Sequence, residues 1–156
     1  MRVPELVWLG EQAASMSSVV EVGSLHGRSA FALLTACRGP VYCIDPWDDE
    51  YDRCYGSFLG YCGGFPNLHA IRGRSPQAGE LVPGSVDMVF IDGDHSRASI
   101  TADIEYWQPR TRRLLCGHDY TWDPPLGYPD VKEVVDELFG DRVTVAPDTA
   151  IWAVSL

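Results

Sequence analysis

Residues 19–29 read VVEVGSLHGRS and run directly into the apolar segment AFALLTAC. Two β-branched residues lead into Glu21 and Val22, Gly23 and Gly27 follow, and Arg28-Ser29 opens a helical pattern. The stretch reads as strand, glycine turn, helix. The turn glycines let a backbone approach a ligand closely, and the helix behind them presents unpaired N–H groups. Two further predicted strand ends, Asp45 and Asp92, are placed to meet the same ligand.

The remaining pattern builds a sheet around this unit. Residues 4–16 predict a helix with Leu6, Val7, Leu9 and Ala13 on one side, a cover for a sheet face (residues 1–17). Val19–Val22 is the first strand, Arg28–Cys37 the first crossover helix, and Gly39-Pro40 its stop. Val41–Ile44 is a strand ending at Asp45. Pro46–Phe65 reads as an irregular insert with a helical turn near Tyr51–Leu59. Its aromatics, Trp47, Tyr51, Tyr55, Phe58, Tyr61 and Phe65, suit either a lid over an acceptor pocket or a small cluster packed on the sheet edge. His69–Arg72 is a strand ending at Gly73-Arg74-Ser75, followed by a helical turn at Gln77–Leu81. VDMVFI at Val86–Ile91 is apolar after Asp87, as in a strand covered on both faces, and ends at Asp92-Gly93-Asp94-His95. A helix over Ser96–Trp107, a strand over Arg113–Gly117 ending at His118-Asp119-Tyr120, and a proline-rich turn at 123–129 follow. A helix over Asp130–Phe139 and strands at Arg142–Ala146 and Ala150–Val154 close the chain. Strands alternating with helices predict one doubly wound α/β domain with a mostly parallel sheet, and the short joint at Pro147-Asp148 predicts a terminal antiparallel pair.

Charge narrows the partners. The 156-residue chain has a formal net charge of −10, a surface that repels a phosphate backbone, so nucleic acid is excluded as the expected partner. No run of about 18 apolar residues predicts a membrane span, and MRVPELVWLGEQ reads as mature chain rather than a leader. Five cysteines without a CxxC pair read as reduced thiols in a cytoplasmic protein. Cys37, Cys43 and Cys116 fall in apolar patterns; a metal or disulfide role for Cys54 and Cys62 has little support.

Three ligands compete for the glycine turn. GSLHGRS resembles a phosphate-binding Walker loop but is one residue short, and Arg28 stands where the lysine belongs. A dinucleotide fingerprint needs a third glycine. In both cases Glu21 would oppose a phosphate. S-adenosylmethionine carries an ammonium, a sulfonium and a carboxylate, but no phosphate. Glu21 is then favourable, meeting the amino group directly or through water. Gly23 lets the backbone pass the methionyl part, the helix N-terminus faces the carboxylate, Asp45 accepts the ribose hydroxyls, and Gly73-Arg74-Ser75 lies near the adenine.

The motifs E-V-G-S-x-x-G-R-S, C-I-D-P-W, V-F-I-D-G-D-H-S and G-H-D-Y, in this order, resemble class I S-adenosylmethionine-dependent methyltransferases. The likeness covers roughly residues 17–156 and is greatest to the branch of metal-dependent sugar and catechol O-methyltransferases. It implies a seven-stranded Rossmann-like sheet whose last strand runs antiparallel. It also implies cofactor contacts from Glu21, Gly23, Ser24, His26, Gly27, Asp45, Pro46, Trp47, Ser75 and Asp92. A divalent ion, magnesium or manganese, would be held by Asp92, His118 and Asp119. Relatives carry two acids or Asp-Asn at the last two positions. An imidazole there either shifts preference toward manganese, iron or zinc, or marks a site without a metal. His95, three residues after Asp92, is the implied base, with Asp94 a cap for the next helix.

The expected reaction is methyl transfer to an oxygen of a small-molecule acceptor. The alternatives are an inactive cofactor-binding or interaction module with the same fold, and a nucleotide hydrolase. A second subunit or a partner protein would complete the acceptor side.

Overall fold

The computed structural model describes residues 1–48, 52–121 and 128–156. Tyr51 of the aromatic insert and most of the predicted turn at 123–129 lie outside the described residues. The elements are α1 (Val3–Ala13), β1 (Val19–Val22), α2 (Arg28–Ala36), β2 (Val41–Asp45), α3 (Asp52–Cys62), β3 (Leu68–Arg72), β4 (Val86–Ile91), α4 (Arg97–Trp107), β5 (Thr111–Gly117), α5 (Pro129–Phe139), β6 (Thr144–Val145) and β7 (Trp152–Ser155). Short 3-10 turns occupy Gln77–Leu81, Gln108–Arg110 and Gly140–Arg142.

The strands form one seven-stranded sheet in the order β3-β2-β1-β4-β5-β7-β6. Pairings from β3 to β5 are parallel, and β7 is antiparallel to both β5 and β6. This is the Rossmann-like methyltransferase arrangement expected from the sequence. Alternation along each strand divides the core into two layers. Val19, Cys43, Met88, Phe90 and Cys116 face one way, against Leu9 and Ala13 of α1, Leu33 of α2 and Phe58 of α3. Val20, Val22, Ile44, Val89, Ile91 and Leu115 face the other way, against Ile100, Ile104 and Trp107 of α4 and Val131, Val134 and Val135 of α5.

Three elements differ from the sequence pattern. The stripe of α1 that is buried is Glu5, Leu9 and Ala13, one side chain every four residues, while Val7 is 54% exposed. The insert holds a helix of 11 residues, not an isolated turn. Cys54, Phe58 and Cys62 line its inner face, and the intervening Gly56 and Gly60 point into open space. Burial of that stripe overrides the low helix propensity of two glycines. The insert's aromatics mostly turn inward: Trp47 and Phe58 are fully buried, Tyr55 and Phe65 pack beside them, and Tyr61 is exposed. β6 has two residues rather than five, because Gly140–Arg142 makes a 3-10 turn.

Candidate functional site

The order β2-β1-β4 places a crossover on each side of β1, so the chain leaves neighbouring strand ends in opposite directions and opens a crevice at their C-terminal edge. Gly23 lies in its floor and Gly27 in the turn behind, both glycine for reasons internal to the protein. Gly23 has φ +89°, and a Cβ on it would stand 2.1 Å from the carbonyl oxygen of Asp92. Gly27, the N-cap of α2, has φ +88°, and its Cβ would lie 2.8 Å from Cys62 Sγ and 2.9 Å from Phe58 Cδ2. The glycines let the β4 end and α3 close on the turn; passage of a ligand is not what demands them.

Between them the turn is tied to the end of β2. Asp45 accepts the backbone N–H of Leu25 on Oδ2 (3.0 Å) and that of Trp47 on Oδ1 (2.8 Å). Trp47 returns its indole N–H to the Leu25 carbonyl at 2.7 Å. Leu25 and Trp47 both have positive φ, 43° and 38°, a conformation held by these mutual bonds.

A cleft of about 820 Å³ opens above, in the range of small-molecule sites. Of the sequence-predicted residues, Gly23, Asp45, Pro46, Ser75, Asp92 and His95 line it. Glu21, Ser24, His26, Gly27 and Trp47 do not. Glu21 is fully buried under the turn, where Ser24 donates its hydroxyl to Oε2 and Oε1 has no partner among the described residues. Burial pushes its carboxyl up to about 7, against the hydrogen bond from Ser24. His26 is exposed, with Nε2 3.5 Å from Cys54 Sγ.

The far wall holds an acid that sequence reasoning missed. Asp103 on α4 is 3% exposed, accepts the Ser75 hydroxyl, and is pushed by burial to about 6. Trp107 donates its indole N–H to Ser75 Oγ at 3.0 Å, so the pair is held from behind. The described lining carries Asp45, Asp92, Asp94 and Asp103 against one arginine, Arg74, which is ion-paired with Asp48. Asp94 precedes α4 rather than capping it: its carboxylate accepts the Ser96 N–H at 2.8 Å, and Ser96 is the N-cap.

At the ends of β4 and β5, Asp92, His118 and Asp119 converge, one ligand atom from each lying within 4.8 Å of the others. His118 Nδ1 is 3.1 Å from Asp119 Oδ1 and 3.8 Å from Asp92 Oδ1. His95 Nε2 is 2.7 Å from Asp119 Oδ2 and 3.9 Å from Asp92 Oδ1, yet it makes no well-aligned hydrogen bond. Burial opposes charge on His95, but the two carboxylates outweigh it and raise the imidazole to about 9. A histidine so held is protonated at neutral pH, the wrong form for a base while both carboxylates face it. Burial likewise opposes charge on Asp119 and His118; their mutual attraction prevails, lowering the acid and raising the imidazole.

Two residues here carry no sequence motif. Tyr128 stacks on His95 with ring centroids 3.8 Å apart and 12° between planes, and it lines the cleft. Glu5 of α1 reaches His118, Oε1 lying 3.3 Å from Nε2. A glutamate four residues before Leu9, on the buried stripe of an amphipathic helix, was the available signal for Glu5. A long-range stack such as that of Tyr128 leaves none.

The donor set of two carboxylates and one imidazole nitrogen fits a divalent cation. The mutual repulsion of the Asp92 and Asp119 carboxylates, with His118 Nδ1 set between them, is what an ion among the three would resolve.

Comparison with known proteins agrees with this architecture. The family model described as "Methyltransferase domain" matches residues 20–120. No curated protein matches the chain. Among solved structures, cofactor-bound Rv0187 from MTB superposes with a TM-score of 0.76 at 17% identity, over 100% of this chain and 80% of that one. The O-methyltransferase from Bacillus cereus, in complex with SAH, gives 0.72 at 18%, over 100% and 82%. The O-methyltransferase TomG from Streptomyces achromogenes, involved in tomaymycin synthesis and in complex with SAM, gives 0.71 at 18%, over 99% and 81%. With the matched segment running from β1 through the Asp119 strand end, the chain belongs to the methyltransferase-domain family.

Proposed function

We propose that this chain binds S-adenosylmethionine in the cleft and transfers its methyl group to an oxygen of a small-molecule acceptor. The observation that carries the reading is the cleft's charge: its described lining holds four carboxylates against Arg74, already paired with an aspartate, and His95, already facing two carboxylates. Such a lining attracts an ammonium and a sulfonium and repels a polyphosphate, which disfavours nucleotide hydrolysis. The TomG and B. cereus structures were solved with SAM and SAH respectively, and the shared fold supports carrying that ligand over.

Asp45, at the β2 end, takes the ribose hydroxyls, and Ser75 with Asp103 forms the wall for the adenine. Asp92 and the Gly23 turn face the methionyl end. Asp92, His118 and Asp119 would hold a divalent ion, which would supply acidification and orientation of the acceptor hydroxyl. Asp92 and Asp119 are also the two carboxylates that face His95. With both carboxylates drawn to an ion, His95 would lose what keeps it protonated, and the neutral imidazole, its ring fixed against Tyr128, would take the acceptor proton. The methyl moves in line from sulfur to oxygen, the S–C bond breaking as the O–C bond forms; the products are S-adenosylhomocysteine and the methyl ether.

Among the described residues no helix is long and apolar enough to cross a membrane. Five free, buried cysteines support a reducing compartment, and we place the protein in the cytoplasm.

Incubation with methyl-labelled S-adenosylmethionine, manganese and a panel of phenolic and sugar hydroxyl acceptors tests the transfer. Label in an acceptor is expected. His95→Ala should lower turnover by roughly 10²–10⁴-fold, and full turnover in that variant removes the base role.

A further inference from the structure

Glu5 belongs to the first helix, yet its carboxylate ends beside the β5 strand end. The residue is 1% exposed. Oε2 accepts the backbone N–H of Arg2, completing the first turn of α1. That role alone does not require burial, since a glutamate at this helical position commonly works from the surface. The second oxygen has a different position. Oε1 lies 3.1 Å from Arg2 Nε, 3.5 Å from the Ala150 backbone nitrogen and 3.3 Å from His118 Nε2. It therefore links α1, the turn before β7 and the imidazole.

The ring of His118 has two ends in opposite surroundings. Nε2 faces Glu5; Nδ1 faces Asp119 Oδ1 and Asp92 Oδ1. Turning the ring over would put Cε1 and Cδ2 in the places of Nε2 and Nδ1, setting carbon against both Glu5 and the Asp92–Asp119 pair. A carboxylate beside Nε2 favours the tautomer that carries its proton there, which leaves the Nδ1 lone pair directed at two carboxylates. By itself that contact is repulsive. With a cation among the three atoms it becomes ligation, and a carboxylate on the far nitrogen is the usual partner of a metal-bound histidine.

We propose that Glu5 is a positioning residue for the metal site: it sets the tautomer and direction of His118, so that Nδ1 joins Asp92 and Asp119 as a nitrogen ligand for a first-row transition ion. The proposal rests on the metal reading given above. It makes α1 part of the site's machinery as well as a cover for the sheet.

Titration of the wild-type chain and Glu5→Gln with Mn²⁺ alone, followed by calorimetry and by the electron spin resonance signal of free Mn²⁺, tests it. One ion bound by the wild type and a Kd raised 10–100-fold in Glu5→Gln are expected, with Glu5→Asp recovering part of the loss. Equal affinity in wild type and Glu5→Gln overturns the role of Glu5 while leaving the metal site standing. No uptake of Mn²⁺ by the wild type overturns the site and the proposal together. Should Glu5→Gln fail to fold, the ¹⁵N imidazole spectrum of the wild-type chain loaded with Zn²⁺ decides: a proton on Nε2 of His118 with Nδ1 shifted by the metal supports the proposal, and a proton on Nδ1 overturns it.

Discussion

Trp47 donates its indole N–H to the carbonyl of Leu25, 2.7 Å away, and so fastens the segment after β2 to the glycine turn after β1. Asp45 lies between the same two residues and accepts a backbone N–H from each. The tryptophan is fully buried and does not reach the cleft; it holds the acid that does.

Trp47→Phe keeps most of the ring and removes the donor. The stranded Leu25 carbonyl costs about 1–3 kcal/mol, or a melting point lower by a few degrees for a chain of this length. The cofactor Kd should rise about tenfold with kcat at saturation nearly unchanged, because the loss falls on the placing of Asp45. An unchanged Kd alongside a lower melting point would assign Trp47 to the core alone.

Glu21 sets a pH dependence of stability. Its folded carboxyl is raised to about 7 by burial, above the ordinary 4.5. Below about 4.5 both the folded and unfolded chains hold the proton; between 4.5 and 7 only the folded chain does. The contribution is therefore fully present at low pH and is lost as pH rises through 7, by at most about 3 kcal/mol. Urea midpoints at pH 5 and pH 8 should converge in Glu21→Gln relative to wild type. The same slope in both proteins would contradict the assignment.

Asp87 acts at the acid end. It accepts the Ser17 hydroxyl and the Ser17 backbone N–H, and pairs with Arg112 at 2.7 Å. The Ser17 hydroxyl leads in holding the carboxyl down to about 2, from an ordinary 3.8. Its stabilisation is present above pH 4 and disappears as pH falls through 2. Asp87→Asn should be less stable than wild type at pH 7, with the gap closing by pH 2; a gap that stays constant would show that the pairing contributes nothing through charge.

Much of the sheet was legible because its strands advertise themselves. Val86–Ile91 has both faces covered, so an unbroken apolar run appears in the chain, and β-branched pairs at Val19-Val20 start the strand beside it. Asp45 and Asp92 could be placed in the cleft because strand ends follow directly from strands. The charge reasoning had the right sign and the wrong bearer: Glu21, one strand pleat before Val22, turns under the glycine turn, and the acids in the described lining of the cleft are Asp45, Asp92, Asp94 and Asp103. Asp103 was hidden because a buried aspartate on α4 looks like any polar residue of an amphipathic helix. In α1, Val7 and Glu5 exchange the roles that hydrophobicity alone assigns them, since the contact that buries Glu5 comes from His118, 113 residues away in the chain. The glycines of α3 concealed a helix whose only local evidence is the four-residue spacing of Cys54, Phe58 and Cys62.

The acidic cleft is the centre of the account, and calorimetric titration of the chain with S-adenosylmethionine and, separately, with ATP tests it most directly. Saturable one-to-one binding of S-adenosylmethionine, weakened at least tenfold in Asp45→Ala, with no heat from ATP, is the predicted result. Binding of ATP in the cleft, or no binding of S-adenosylmethionine at millimolar concentration, would contradict it.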